Sequence, residues 1–129
     1  MKYPRYLSYH DRPLMLFKTP VGVVDGLILD EATGKFVPAT GEVLADVAYV
    51  SNTTDVSSRS RDGFILQTER IRSRSVSGVG PAFDLYRQVE GIWDTAKSEN
   101  RLVTDDELAR IDDIHRRTFA LWEAGEAYS

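Results

Sequence analysis

Arg59, Arg61, Arg70, Arg72 and Arg74 lie within one short stretch, RSRDGFILQTERIRSRS at residues 59–75, of a chain whose formal net charge is −4. A guanidinium is planar, permanently charged and forked, and it pairs two-pronged with carboxylate or phosphate. The chemistry on offer is therefore anion recognition, of acidic side chains on a protein or of a nucleic-acid backbone. Arginine outnumbers lysine twelve to four, a bias toward such contacts and toward protein interfaces. Charge is also segregated along the chain: residues 20–55 hold six acidic side chains against one basic, 56–80 two against five, and 81–129 eleven against six. The strip can thus be satisfied by acidic segments of its own chain, by those of another copy or another protein, or by phosphates. Nucleic acid is the less favoured partner, because the remaining surface is acidic and no helix-turn-helix, zinc or RNP pattern accompanies the strip.

Other chemistry-bearing groups are sparse. There is no cysteine, and the two histidines, His10 and His115, are far apart in sequence, so neither thiolate chemistry nor a paired-histidine metal site is expected. In DDIH, Asp112 and Asp113 stand within a turn of His115, but the simpler reading borders a helix with the histidine and turns the aspartates to water. TDDE at residues 104–107 resembles an acidic metal cluster and is better explained by negative charge at a helix N-terminus. GLILDEATGK lacks the spacing of a phosphate-binding loop, SGVGP lacks the third glycine of a dinucleotide turn, and no GxSxG accompanies the many serines. No catalytic residue, cofactor or metal is expected, although two carboxylates brought together from anywhere in the chain would make a small hydrolase.

These groups need elements to hold them. MKYPRYLSYHDRP, with Tyr3, Tyr6 and Tyr9 and prolines at 4 and 13, reads as an extended arm over 1–13 whose aromatics cover a surface, on this domain or on a neighbour. LMLFKTPVGVVDGLILD predicts two short strands broken at Pro20 and Gly22, DEATGKF a hairpin turn with Gly34 in the left-handed position, and Pro38 an edge strand. EVLADVAYV fits either period and is read as a strand. SNTTDVSSRSRDG reads as a long mobile loop, and 64–76 as a further strand. That last strand would put Arg70, Arg72 and Arg74 on one face, a ladder of like charges calling for anions opposite. Beyond SGVGP the period changes. Ala82, Phe83, Tyr86, Val89, Trp93 and Ala96 form one helical stripe. Thr104 with Glu107 makes a capping box, Val103 and Leu108 are spaced as a hydrophobic staple, and Leu108, Ile111, Ile114, Leu121 and Trp122 line a second helix.

The sequence therefore predicts a single α+β domain over 1–129: the arm, a mostly antiparallel β-rich part over 14–77, and a C-terminal antiparallel helical hairpin over 81–125. PLMLFKTPVGVVDGLIL is interrupted by Lys18, Pro20 and Asp25 and is too broken to span a bilayer, so a cytoplasmic protein, or one inside an assembled particle, is expected. Expected function is that of a non-enzymatic protein–protein interaction subunit, a structural component of a larger assembly such as a phage particle or bacterial complex. Its partner would be another protein or further copies of itself, contacted through the three tyrosines and five arginines. A small nucleic-acid-binding regulator or inhibitor is the alternative, and an enzyme with an unrecognised carboxylate site the third reading. Changing Arg70, Arg72 and Arg74 together to serine should, on this reading, weaken assembly and leave folding nearly intact.

Overall fold

The computed structural model describes residues 2–49 and 55–128. The chain begins with a hairpin, β1 (Arg5–Tyr9) and β2 (Arg12–Lys18), turning at His10 and Asp11 with φ of 47° and 63°. Two successive left-handed residues give the tight turn whose twist suits antiparallel strands. β3 (Val24–Leu29) and β4 (Phe36–Pro38) follow, then α1 (Gly41–Tyr49) and β5 (Val56–Arg59), completing an antiparallel sheet ordered β4-β3-β2-β1-β5. The helices α2 (Arg61–Ser75), α3 (Pro81–Ser98) and α4 (Asp105–Glu123) complete the α+β fold. No helix among the described residues is long and apolar enough to cross a membrane.

Alternation along the strands gives the sheet two apolar faces. On one, Leu7, Leu14, Leu16, Ile28 and Val56 pack beneath Val43, Leu44 and Val47 of α1. On the other, Tyr6, Met15 and Phe36 meet Phe64 and Ile65 of α2 and Phe119 of α4. α4 packs against both α2 and α3, with Ile111 and Ile114 set against Val89 and Ile92. Its start carries the expected capping box: Glu107 N–H donates to the Thr104 hydroxyl at 3.1 Å, and Thr104 N–H to the Glu107 carboxylate at 2.9 Å.

Three expectations are corrected. The arm over 1–13 is β1 with the first turn and the start of β2, an interior strand paired on both sides. The β-rich part over 14–77 contains two helices: EVLADVAY is α1, whose start is capped by Thr40 accepting from Val43 N–H at 3.2 Å, and 64–75 belongs to α2. The N-terminus of α2 is fixed by Ser60, whose hydroxyl accepts from Gly63 N–H at 2.9 Å. Of the loop expected over 51–62, Val56–Arg59 is β5 and Arg61 opens α2, while 51–54 lie outside the described residues.

Gly34 turns the β3–β4 hairpin at φ +76°, and a Cβ there would lie 2.9 Å from Trp122 Cη2 and 3.0 Å from Val76 Cγ2. Gly34→Ala combines a left-handed alanine with overpacking against α4 and should lower unfolding stability by about 1–3 kcal/mol. A urea titration with unchanged slope measures it.

Candidate functional site

A helix turns 100° per residue, so the three arginines expected to form a ladder point different ways along α2. Arg70 and Arg74, four residues apart, share an outer face; Arg72, between them, points inward and is 2 % exposed. Its Nη1 donates to Glu69 Oε2 at 2.8 Å and its Nε to the Gly34 carbonyl at 2.7 Å. The guanidinium lies over Trp122, 4.3 Å from the ring centroid, between Phe36 and Phe119. Glu69, fully buried, also accepts from the Tyr86 hydroxyl at 2.5 Å and the Thr118 hydroxyl at 2.6 Å, and Trp122 Nε1 donates to Tyr86 Oη at 2.8 Å. Burial pushes the Glu69 carboxyl up, against the opposing pull of Arg72, Thr118 and Tyr86. Burial beside Glu69 likewise raises Tyr86, which keeps its proton and remains a donor. This network joins α2, α3, α4 and the β3–β4 turn.

The remaining expected contact residues are dispersed. Tyr3 and Tyr9 pack on the α1 side of the sheet, with Lys18 Nζ 5.7 Å from the Tyr3 ring and the Tyr9 hydroxyl donating to Asp46 at 2.5 Å. Tyr6 lies on the opposite face, its ring 4.9 Å from that of Phe64. It borders a small cavity of about 140 Å³ together with Phe36, Phe64, Phe119 and Arg61. Arg59 folds back along β5, donating to Ser57 Oγ at 2.8 Å. The tyrosines thus serve both faces of their own sheet, Tyr6 and Arg61 share the small cavity, and Arg70 and Arg74 come together on a larger one.

What they come together on is a cleft of about 730 Å³. Its floor is α4, through Leu108, Ile111, Asp112 and His115; α2 forms one wall with Arg70, Ser73 and Arg74, and α3 the other with Phe83, Tyr86, Arg87, Glu90 and Trp93. Trp93 is 48 % exposed and Leu108 39 %, so the apolar stripes of α3 and α4 open onto this cleft. Arg70 Nη2 stands 3.6 Å from Asp112, and Arg87 pairs with Asp84. Arg74 has no ion-pair partner among the described residues. His115 is 2 % exposed, and neither ring nitrogen meets a hydrogen-bond partner among the described residues. Burial, reinforced by Arg70 and opposed by Asp112, holds its pKa down at about 4.

His115 was expected at the border of the hairpin with both aspartates in water; instead it is core-facing, Asp112 is half-buried and Asp113 alone of the two is exposed, where it pairs with Arg116. The signal lay in the spacing. Leu108, Ile111, Asp112 and His115 follow the i, i+3, i+4, i+7 pattern of one helical face, so two polar groups on an apolar stripe were legible. Arg87 and the outward turn of Trp93 had no such mark. No group of three or more His, Asp or Glu among the described residues is placed to hold a metal.

A second exposed feature lies at the far end of the β2–β3 hairpin. Val21 is 84 % exposed and Val23 61 %, yet the tip is tied by Gly22 N–H to Thr19 O at 2.9 Å and Thr19 N–H to Val23 O at 2.8 Å. Comparison of the chain with protein-family models, with curated proteins and with solved structures finds no match.

Proposed function

We propose that the protein is a non-enzymatic protein–protein interaction subunit of a larger assembly, and that the β2–β3 tip is its principal anchor. The observation that carries this reading is the tip itself. Loop tips are ordinarily polar and loose, whereas Val21 and Val23 are held outward on a hydrogen-bonded turn. Apolar side chains presented on a rigid support lose little entropy when a partner covers them. The segregated charge, acidic over 20–55 and basic over 56–80, adds orientation, because complementary patches steer encounter. Another copy of the chain is the first partner to test.

Size-exclusion chromatography with light scattering, in low and high salt and with absorbance at 260 and 280 nm, decides the matter. Wild type should run as a defined nucleic-acid-free oligomer, and Val21→Ser/Val23→Ser should run as a monomer with an unchanged melting temperature. A wild-type monomer at about 100 μM, well above the micromolar dissociation constants of specific contacts, would sink self-association. A monomer that carries nucleic acid and sheds it in salt would favour the nucleic-acid reading instead.

A further inference from the structure

The cleft between α2 and α3 differs from the valine tip in kind. It is concave, it has the volume of a small-molecule site, and its apolar surface is interrupted by a few polar groups that converge. Phe83, Val89, Trp93, Leu108 and Ile111 supply the apolar lining. At one side stands Arg74, with no ion-pair partner among the described residues. In the α4 floor is His115, buried and lacking a hydrogen-bond partner at either ring nitrogen. Buried polar groups are nearly always hydrogen-bonded, so an imidazole held this way within a cleft is a group shaped to meet a ligand.

We infer that this cleft binds a small amphiphilic carboxylate: an apolar, preferably aromatic body lying on Trp93, Leu108 and Ile111, its carboxylate on Arg74, and one polar group on the body bonded to His115. The charge of the lining selects the headgroup. Arg70 is already opposite Asp112 and Arg87 opposite Asp84, with Glu90 close by. Arg74 is the one arginine of the lining without an ion-pair partner among the described residues, and with Asp112 and Glu90 also facing the cleft a monoanion is tolerated better than a phosphate dianion, which the two carboxylates would repel. Arginine's fork also matches a planar carboxylate. A neutral imidazole donates through one nitrogen and accepts through the other, and the lowered pKa keeps His115 in that form near neutrality. It can therefore meet an N–H or a hydroxyl on the body. Asp112, whose Oδ1 is buried without a hydrogen bond, borders the same spot.

The test uses indole-3-propionate, which has an aromatic body, a ring N–H and one carboxylate, against its uncharged amide, followed by NMR of the methyl and Trp indole signals. The acid should shift Val76, Val89, Leu108, Ile111 and Trp93 saturably at concentrations up to about 10 mM, where even a millimolar site fills. Arg74→Ser, an exposed change that leaves the fold intact, should weaken it roughly tenfold, the size of one charge-assisted hydrogen bond; the amide should lose a similar factor on wild type. His115→Gln, which keeps a donor and an acceptor, should retain more affinity than His115→Phe, with both variants checked for native methyl spectra. Shifts that fail to saturate, that fall outside the cleft, or that are equal for acid and amide would overturn the assignment. So would undiminished binding to Arg74→Ser.

Discussion

Replacing Arg72 with alanine should cost about 3–5 kcal/mol of unfolding stability, the usual result of removing one partner from a buried ion pair. Glu69 would keep its carboxylate in a site with no exposure, retaining the Tyr86 and Thr118 hydroxyls but losing the only cation bonded to it among the described residues. The Gly34 carbonyl would lose its 2.7 Å donor, and the space between Trp122, Phe36 and Phe119 would be left unfilled. Against the 5–15 kcal/mol available to an ordinary domain, this brings the chain near its unfolding threshold. Arg74→Ser and Arg59→Ser, exposed and outside the network, should change stability by no more than about 0.5 kcal/mol. Urea midpoints for the three variants give the comparison. Equal losses for Arg72→Ala and Arg74→Ser would mean the network adds nothing. Glu69→Leu/Arg72→Met, which removes both charges, should recover part of the loss. The expectation that serine at all three arginine positions spares folding therefore fails at Arg72 alone.

Acid should destabilise the protein through His115. Unfolded, its imidazole titrates near the ordinary 6.5; folded, it stays neutral to about pH 4. Below pH 6.5 the unfolded chain binds a proton that the folded chain refuses, so stability falls as pH drops from about 6.5 to 4 and levels off beneath that. At 1.36 kcal/mol per unit the gap corresponds to about 3 kcal/mol. Glu69 acts oppositely: its raised pKa favours the folded state at low pH and withdraws that support as pH rises above the carboxylate range. His115→Gln removes the first contribution and keeps the second. Its stability loss between pH 6.5 and 4.5 should be smaller than wild type's, and an NMR titration of His115 in the wild type should place its midpoint near pH 4, far below the ordinary 6.5. An unchanged loss in the variant would show that the acid sensitivity lies elsewhere.

How far the sequence revealed these elements depended on how cleanly each kept its period. α3 and α4 were legible because their buried positions are mostly apolar and Thr104 marks a start. β2, β3 and β4 were legible because Gly22, Gly34 and Pro38 mark their turns and edge. α2 was not, because its inward face carries Thr68, Glu69 and Arg72 beside Phe64, Ile65 and Ile71, and polar residues at buried positions erase the apolar stripe that identifies a helix. What remained looked like alternation. β1 was hidden by a turn built on His10 and Asp11 rather than glycine or asparagine, and α1 by valines whose spacing fits both periods. Of the site, Arg70 and Arg74 were singled out for the wrong geometry: a strand would have aligned them with Arg72, whereas four-residue helical spacing brings the two together and turns Arg72 inward.

α4 follows α2 and α3 along the chain yet packs against both and supplies Thr118, Phe119 and Trp122 to the buried pair. During synthesis, Glu69 and Arg72 therefore leave the ribosome well before the groups that enclose them. A nascent chain ending ahead of residue 105 can pair its strands, but α2 would show water an apolar face studded with two charges that have no finished site. Completion of the helical layer is then a late, concerted event, and a ribosome stalled before α4 should hold a chain far more open to protease than one stalled beyond it.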